Sequence, residues 1–387
     1  MCLFIIVVFL YDGDKLSGLS QKKHGQTCLR RKTMSKQKTA ELRKNVASYG
    51  KADKKSSVIQ LLNTIPAFFI LWFLAYQSLS VSIWLTIPLA IVAAGFVVRM
   101  FIIFHDCAHQ SFFQNKKANR ILGTLTGIIT HFAFEKWKRS HSIHHATSGN
   151  LDKRGTGDMW VMTVEEYRKA SFWQRLSYRL YRNPLVMFGL GPIFLFLIDN
   201  RFNRKGARRK ERLNTYLINA SLVVIYGLLL WAIGWEALLI IQGTILFVSG
   251  ALGIWLFYVQ HQFEDSYFEN EAEWDYVKAA VDGSSYYKLP KVIQWITGSI
   301  GFHHVHHLNP RVPNYFLEEA HTSTPPLQKA TTITFLSSLE SLRFRLYDEQ
   351  SKTFVSFKEI KSTRKGSQKR PAADLNLTNR RPGFQEK

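Results

Sequence analysis

Four long apolar blocks limit what this chain can fold into more than any other feature of its sequence. The blocks run from about Leu61 to Leu79, Val81 to Phe104, Thr215 to Trp235 and Glu236 to Val259. Each approaches the roughly 20 residues that a helix needs to cross a hydrocarbon core of about 30 Å. They are too uniformly apolar for the helices of a soluble domain, which keep a polar face. The sequence therefore predicts an all-α membrane protein with four transmembrane helices.

Two shorter apolar stretches leave the number of crossings open. They cover Ile121–Phe134 and Leu185–Ile198, and each contains Gly. Stretches of about 14 residues are more typical of interfacial or re-entrant segments than of spanning helices. If both stretches crossed the membrane, the count would rise to six, and the termini would stay on the same side.

The charge distribution predicts the orientation. The segments 34–57 and 201–212 are strongly basic, and the latter holds seven Lys or Arg against one Glu. The short links within the two pairs of blocks carry only Glu236. Since cytoplasmic loops are enriched in Lys and Arg, we expect both termini and the segments 105–214 and 260–387 to be cytoplasmic.

The net charge of +23 could also attract nucleic acid. The basic residues gather beside the apolar blocks, however, which favours the membrane interpretation, and no nucleic-acid partner is predicted. The three cysteines form no CxxC pair. The sequence therefore indicates neither a disulfide framework nor a thiolate metal site.

The blocks also suggest a division of the chain. Residues 1–57 form a cytoplasmic N-terminal segment, in which Met34 is the expected natural start and residues 1–33 are upstream sequence. Residues 58–355 form the membrane domain. The basic, polar residues 356–387 are predicted to be disordered.

The histidines fall into clusters beside the apolar blocks. The chain has 13 histidines. The clusters are HDCAH (105–109), HSIHH (141–145) and HHVHH (303–307), and the single His261 directly follows the fourth block. Positions i, i+3 and i+4 lie on one face of a helix, so each cluster can direct two or three imidazoles to one point. A histidine-rich solvated loop would show irregular spacing instead.

Eight or nine converging imidazoles are too many for one zinc ion, which takes about four ligands. They suit two metal ions with open positions, and imidazole binds iron, copper and zinc. A pair of redox metals serves a membrane enzyme because the C–H bonds of an alkyl chain have no acidic proton for a side chain to remove. Carboxylates would orient the ligating imidazoles; the candidates are Asp106, Asp152, Asp158, Glu264 and Asp265.

No flavin or nicotinamide fingerprint occurs in the sequence. Electrons for redox chemistry must then come from a separate protein. The basic cytoplasmic face predicts an acidic carrier such as a ferredoxin or flavodoxin.

These clusters resemble the three histidine boxes of membrane fatty-acid desaturases, in the same order and separated by paired spanning helices. The resemblance covers about residues 58–355. The strings FIIFHDCAHQSFF, HSIHHATSGNLDKRGTGD, YVQHQFEDSYF, GSSYYKLP and GFHHVHHLNPRVPNY are most similar to bacterial acyl-lipid desaturases, in particular the delta-5 type.

The resemblance implies a ligand set and a reaction. The two iron ions (Fe²⁺) would be held by His105, His109, His141, His144, His145, His261, His303, His306 and His307. His304 occupies a variable position of its box, and His24, His131 and His321 fall outside the pattern. With O₂ as co-substrate, the family removes two hydrogens from a saturated acyl chain of a membrane phospholipid and leaves a cis double bond.

Two rival functions remain from the sequence alone. A hydroxylase of alkyl chains would share the metal site. A membrane metal transporter or sensor is the rival from another class, but transporters place their polar ligands near the bilayer midplane. Here the blocks contain almost no ionisable residues, with Arg99 as the exception, and the histidines lie outside them.

Overall fold

The computed structural model describes residues 36–360, and nearly all of its regular structure is helical. It confirms the expected helical membrane architecture with a histidine cluster, which lies at the ends of two apolar helices and on shorter helices beside them. The predictions on residues 1–33, on Met34 as the start and on the tail beyond residue 360 lie outside the described residues.

Besides a last helical turn at residues 357–360 and three short 3₁₀ helices, Asn314–Phe316, Pro325–Lys329 and Leu339–Arg343, fifteen helices follow one another in the described range. They are α1 Lys36–Ala47, α2 Lys54–Ser78, α3 Ile83–His109, α4 Lys116–Ile129, α5 Phe134–Thr147, α6 Val164–Lys169, α7 Phe172–Tyr181, α8 Leu185–Asp199, α9 Arg209–Leu238, α10 Thr244–His261, α11 Tyr276–Val281, α12 Lys291–Ile296, α13 His303–Leu308, α14 Leu317–Thr322 and α15 Phe335–Ser338. Most of α8 is π-helical, and a π-helical turn, Leu239–Gly243, joins α9 to α10.

Three helical segments of the described range are long and apolar enough to cross a membrane: Lys54–Ser78, Ile83–His109 and Arg209–His261. The third has 53 residues. A straight helix of that length would measure about 80 Å, far more than a core of about 30 Å. It must therefore contain more than one crossing.

The chain reverses inside this third segment at Gly234. Gly234 has φ 77° and ψ 167°, a conformation that a residue with a Cβ rarely adopts. The side chain of Tyr226 before it lies close to that of Gln242 after it, which a straight helix would not allow. The segment thus supplies two crossings, as predicted, with the break one residue before the expected Trp235–Glu236 boundary.

Helix α3 is the central helix of the membrane part. In its most apolar stretch 56% of the residues are buried, against 22% in α2. Ala90, Ala93 and Ala94 are fully buried and let the neighbouring helices approach closely. With 27 residues, α3 is about 40 Å long, so one end projects beyond a core of about 30 Å.

Neither short apolar stretch forms a straight spanning helix. Helix α4 has only 14 residues and ends at Ile129; after a tight turn, in which His131 has φ 62°, α5 begins at Phe134. Helices α7 and α8 pass the length and hydropathy requirement only together, and they are bent by 66°. This geometry agrees with interfacial or re-entrant segments rather than with a straight fifth and sixth crossing.

Short strands, which the sequence did not predict, tie the region after α10 together. β1 (Tyr286–Lys288) pairs in parallel with β2 (Thr332–Thr334), and β3 (Leu346–Asp348) pairs antiparallel with β4 (Thr353–Val355). An isolated bridge joins Tyr286 to Phe302, immediately before α13. The first sheet thereby fixes the start of the third histidine cluster.

We predict that Gly123→Ala destabilises the protein. A Cβ at Gly123 would lie 2.1 Å from Cε2 of Phe134, so the ring that joins α4 to α5 would have to move. Such overpacking costs about 1–3 kcal/mol, and the midpoint of thermal unfolding in detergent should fall by several degrees. Gly227→Ala, in α9, is the matched control because nothing lies within 4 Å of its Cβ position. Equal midpoints for the two variants would contradict this packing.

Candidate metal centre

The projecting end of α3 carries the first histidine cluster. His105 and His109 are one turn apart, so both imidazoles lie on one face, and their ring centroids are 4.7 Å apart. The helix ends there because Gln110 takes the left-handed conformation, with φ 60°. The two histidines therefore sit at the last turn of a membrane-crossing helix.

Helix α5 contributes the second cluster. His141, His144 and His145 are buried on its inner side. Trp137, one turn before His141, stacks on that imidazole with centroids 4.2 Å apart and an interplanar angle of 24°. The indole also lies 5.7 Å from the ring of His105, so it packs between the first two clusters.

The short helix α13 presents the third cluster, in which His303, His306 and His307 are buried. The hydroxyl of Tyr276 donates a hydrogen bond of 2.7 Å to the carbonyl of His307 and so holds the end of the helix. His261, the last residue of α10, is buried beside it, with Nε2 3.0 Å from Nε2 of His303.

The structure brings all nine predicted histidines together, in two groups. Within each group, one nitrogen of every imidazole lies within 4.8 Å of the others. The five-histidine group is His105, His109, His141, His145 and His306, and the four-histidine group is His144, His261, His303 and His307. Helices α5 and α13 each serve both groups, since the i, i+4 pair of each helix enters one group and the remaining histidine enters the other.

The spacing of the nitrogens fits metal ligation. In the five-histidine group, Nε2 of His145 lies 3.0 Å from Nε2 of His141 and 2.9 Å from Nε2 of His306. In the four-histidine group, Nε2 of His303 and Nε2 of His307 are 3.1 Å apart. For metal–nitrogen bonds of about 2.1 Å, ligands at right angles lie about 3.0 Å apart. The distances are therefore those of neighbouring ligands on one ion.

The protonation state fits as well. Burial, followed by the neighbouring imidazoles, holds the pKa values well below their ordinary range for His141, His145, His303, His306 and His307. Neutral imidazoles keep a lone pair for a metal. Nε2 of His109 and Nε2 of His144 are buried and have no hydrogen-bond partner in the described part of the chain. The two groups could thus each hold a metal ion.

A carboxylate anchors one histidine of the first group. Oδ1 of Asp106 lies 3.0 Å from Nδ1 of His105, which leaves Nε2 of that ring to face the group. Oδ2 accepts two hydrogen bonds from Asn314, of 2.7 Å from the backbone and 2.8 Å from the side-chain amide. Asn314 is held in turn by Gln60 at 3.1 Å. Sequence reasoning named Asp106 but missed Asn314 and Gln60.

The second group has a corresponding pair. Asp158 hydrogen-bonds Nδ1 of His144. Gly157 makes this approach possible: its φ is 80°, and a Cβ there would lie 2.6 Å from the carbonyl oxygen of Ser140. Each group therefore contains one imidazole whose orientation a buried or half-buried carboxylate fixes.

The other three candidate carboxylates differ from these two. Asp152 accepts a hydrogen bond of 2.8 Å from the backbone of Glu271. Glu264 and Asp265 follow His261 on the adjoining loop, and their proposed role stays a prediction. His304, excluded from the ligand set, pairs with His321 (Nε2 to Nδ1, 3.0 Å) away from both groups.

Comparisons with known proteins agree with this geometry. The model of the family described as "Fatty acid desaturase" matches residues 82–335. The chain is 60% identical over 324 residues to "Fatty acid desaturase" of Bacillus subtilis, covering 84% of this chain and 92% of that protein. It is 27% identical to "sn-1 oleoyl-lipid 12-desaturase" of Synechocystis sp., covering 72% and 81%. It is also 28% identical to "sn-1 acyl-lipid omega-3 desaturase (ferredoxin)" of the same organism, covering 59% and 64%.

We predict that Asn314→Ala weakens metal binding. The variant removes the amide that holds Asp106, and the loss of such outer hydrogen bonds typically lowers metal affinity about 10- to 100-fold. The measurement is the Fe²⁺ to protein ratio after dialysis against a graded series of a chelator. Asn219→Ala is the control, because that amide bonds Arg201 instead. Retention of metal by the Asn314 variant at wild-type chelator concentrations would contradict this role.

Proposed function

The chain belongs to the fatty acid desaturase family, and we propose that it is an oxygen-dependent acyl-lipid desaturase with a di-iron centre. In this proposal it introduces a cis double bond, at carbon 5, into saturated acyl chains of membrane phospholipids. The family membership makes it a desaturase, an enzyme of the oxidoreductase class.

One observation carries the proposal: two adjoining groups of imidazoles, nearly all of them buried, lie at the ends of membrane-crossing helices. His105 and His109 end α3, and His261 ends α10. A reacting carbon held between the groups would thus be near the boundary of the hydrocarbon core. This placement suits a substrate that is itself part of the bilayer better than one dissolved in water.

The five-histidine group would hold one iron and the four-histidine group the other. Because all the ligands would be imidazoles, no anionic ligand would offset the positive charge of the iron ions. Each ion could then take a further group at an open position. The iron pair supplies the activation of O₂ that the attack on an unactivated C–H bond needs. Atoms and electrons balance when –CH₂–CH₂–, O₂, two electrons and two protons give –CH=CH– and two waters.

The protein side chains position and shield this centre. Asp106 and Asp158 fix the tautomers of His105 and His144 by accepting from Nδ1, so that both Nε2 atoms are available to metal. Phe104 is fully buried next to the first cluster, and Phe257 packs on His144 with centroids 5.1 Å apart. These apolar rings keep water away from the groups, which lowers the chance that activated oxygen reacts with solvent.

The substrate class and the electron donor rest on relatives and on charge. The names of two relatives in Synechocystis sp. specify acyl chains of lipids, and one of them specifies ferredoxin. The strings around the histidines favour the delta-5 position. The basic segment 201–212 supports a cytoplasmic orientation of the centre. A ferredoxin or flavodoxin in that compartment would supply the electrons.

We predict that expression in a desaturase-free bacterial host yields new monounsaturated lipid chains. Mass spectrometry with double-bond location reads out both the chemistry and the position. His307→Ala removes a ligand and should abolish the product, whereas His321→Gln, outside both groups, should retain most of it. Formation of the product by the His307 variant would contradict the proposal. So would the absence of product from the wild type and from both variants despite an active electron donor. Hydroxylated chains would indicate the oxygenase instead.

We also predict the number of iron ions that each chain binds. Protein purified without oxygen and loaded with Fe²⁺ should bind about two ions per chain, because nine imidazoles suit two ions rather than one. Elemental analysis by mass spectrometry measures the ratio. Removal of iron with a chelator should abolish desaturation, and Fe²⁺ should restore it. Restoration by Zn²⁺ alone would contradict a redox role for the centre.

A further inference from the structure

Four basic side chains lie close together where α5 adjoins α4 and α9. They are Arg120 on α4, Lys138 and Arg139 on α5 and Lys210 on α9, and we call them the α5 patch. They come from three separate parts of the sequence, so the folded chain, rather than a charge run, assembles the patch. The same helix carries His141, His144 and His145 one to two turns further along.

Two buried carboxylates hold the cations of the α5 patch in place. Glu135, with 5% of its side chain exposed, lies 3.0 Å from Nε of Arg120 and 3.2 Å from Nζ of Lys210. Glu211, with 6% exposed, lies 3.3 Å from Arg139. The three cations are 63%, 56% and 43% exposed, respectively. The surface therefore presents positive charge, while the compensating negative charge is hidden beneath it.

Lys138 is the cation of the patch that no carboxylate pairs among the described residues. Its nearest aromatic contact is Phe134, with Nζ 6.0 Å from the ring centroid. It is close enough to Cys107 and His109, both in the first histidine cluster, for direct charge interactions. Lys138 is thus held less closely by a buried acid than the other three cations, because Glu135 attracts it only from beyond ion-pair distance.

The patch lies close to the candidate metal centre. Lys138 and His141 are three residues apart, which is about 4.5 Å along the axis of α5. Positions i and i+3 lie on one side of a helix, so Lys138 is on the same side of α5 as His141. A protein that contacts Lys138 would therefore be within about one to two helical turns of the imidazoles of the five-histidine group.

We propose that the α5 patch is the docking surface for an acidic, one-electron carrier protein. This inference rests on the proposed function, which needs two electrons per double bond from outside the chain. Charge complementarity identifies the partner: an acidic carrier is steered to a fixed cationic surface, and its rate of association falls as salt screens the charges. A carrier docked here would lie beside α5, so its electron would travel only a short distance to the five-histidine group.

Anionic lipid headgroups are the other class of partner that such cations attract. Two observations favour the carrier. The cations are fixed by buried carboxylates rather than free to follow a fluid surface, and the unpaired Lys138 is the one next to the first histidine cluster. The lipid alternative is an outcome of the test below.

The test uses the full-length protein in nanodiscs of zwitterionic phosphatidylcholine, with its iron oxidised to Fe³⁺ so that it can accept electrons. Stopped flow then measures how fast it oxidises a reduced [2Fe–2S] ferredoxin. Lys138→Glu should lower the second-order rate constant roughly 3- to 10-fold at low ionic strength and flatten its salt dependence. Lys138→Arg should keep the wild-type rate. Lys169→Glu, an exposed cation of α6 outside the patch, is the matched control and should also keep it.

Two further measurements separate docking from damage to the metal centre. Iron content and dithionite-driven desaturation of Lys138→Glu should match wild type. A loss of either, or an unchanged rate with ferredoxin, would overturn the docking proposal. An effect of Lys138→Glu only in nanodiscs with anionic phosphatidylglycerol would also overturn it, in favour of lipid headgroups.

Ferredoxin binding to the oxidised protein, measured by biolayer interferometry, does not depend on turnover. A wild-type chain that binds ferredoxin through the α5 patch but desaturates nothing with any reductant would refute the proposed function and leave the docking surface intact. If the wild-type chain desaturates with dithionite, and the Lys138→Glu variant binds ferredoxin as well as wild type does, the docking surface is refuted and the proposed function stands.

Discussion

The gathering of nine imidazoles in one place, eight of them buried, is the constraint on which the rest of this structure depends. A buried polar group costs free energy unless a partner uses its lone pair or proton. In the described part of the chain several ligand nitrogens face one another at about hydrogen-bond distance, and Nε2 of His109 and Nε2 of His144 have no partner. Such an arrangement is favourable only when something at the centre of each group uses those lone pairs. Metal ions do so.

The membrane architecture serves this constraint. Helix α3 is longer than the hydrocarbon core is thick, so it delivers His105 and His109 just outside that core. Helix α10 ends at His261 and delivers a ligand to the other group. Helices α5 and α13 are shorter and complete both groups. The polar centre therefore lies against the apolar layer without entering it, and carboxylate, amide and aromatic side chains all contact its imidazoles.

The sequence predicted the parts of this arrangement that depend on local spacing. Blocks of about 20 apolar residues indicated the crossings, and histidines at i, i+3 and i+4 indicated that each cluster would face one way. The division into groups of five and four depends on how α5 and α13 are rotated against each other, which no local pattern contains. His144 and His145 are neighbours in sequence, yet they enter different groups.

The sequence could not predict contacts between residues that are far apart along the chain either. Asn314 lies 208 residues from Asp106, and nothing in either segment alone pairs them. The loop that carries Asp158 could be suspected from its glycines, but only the close approach at Gly157 shows that it reaches His144. The short strands have three residues each, too few for an alternating pattern to be visible.

Helices α5 and α13 each contribute histidines to both groups, and this sharing has a consequence for assembly. An ion in the five-histidine group would cross-link α3, α5 and α13, and one in the four-histidine group would cross-link α5, α10 and α13. Whichever ion bound first would fix the two shared helices. The second site would then lose less conformational entropy when its own ion binds. Loading should therefore be cooperative, with singly loaded chains scarce. A cell short of iron would then hold a mixture of complete and empty molecules rather than a population of half-filled ones.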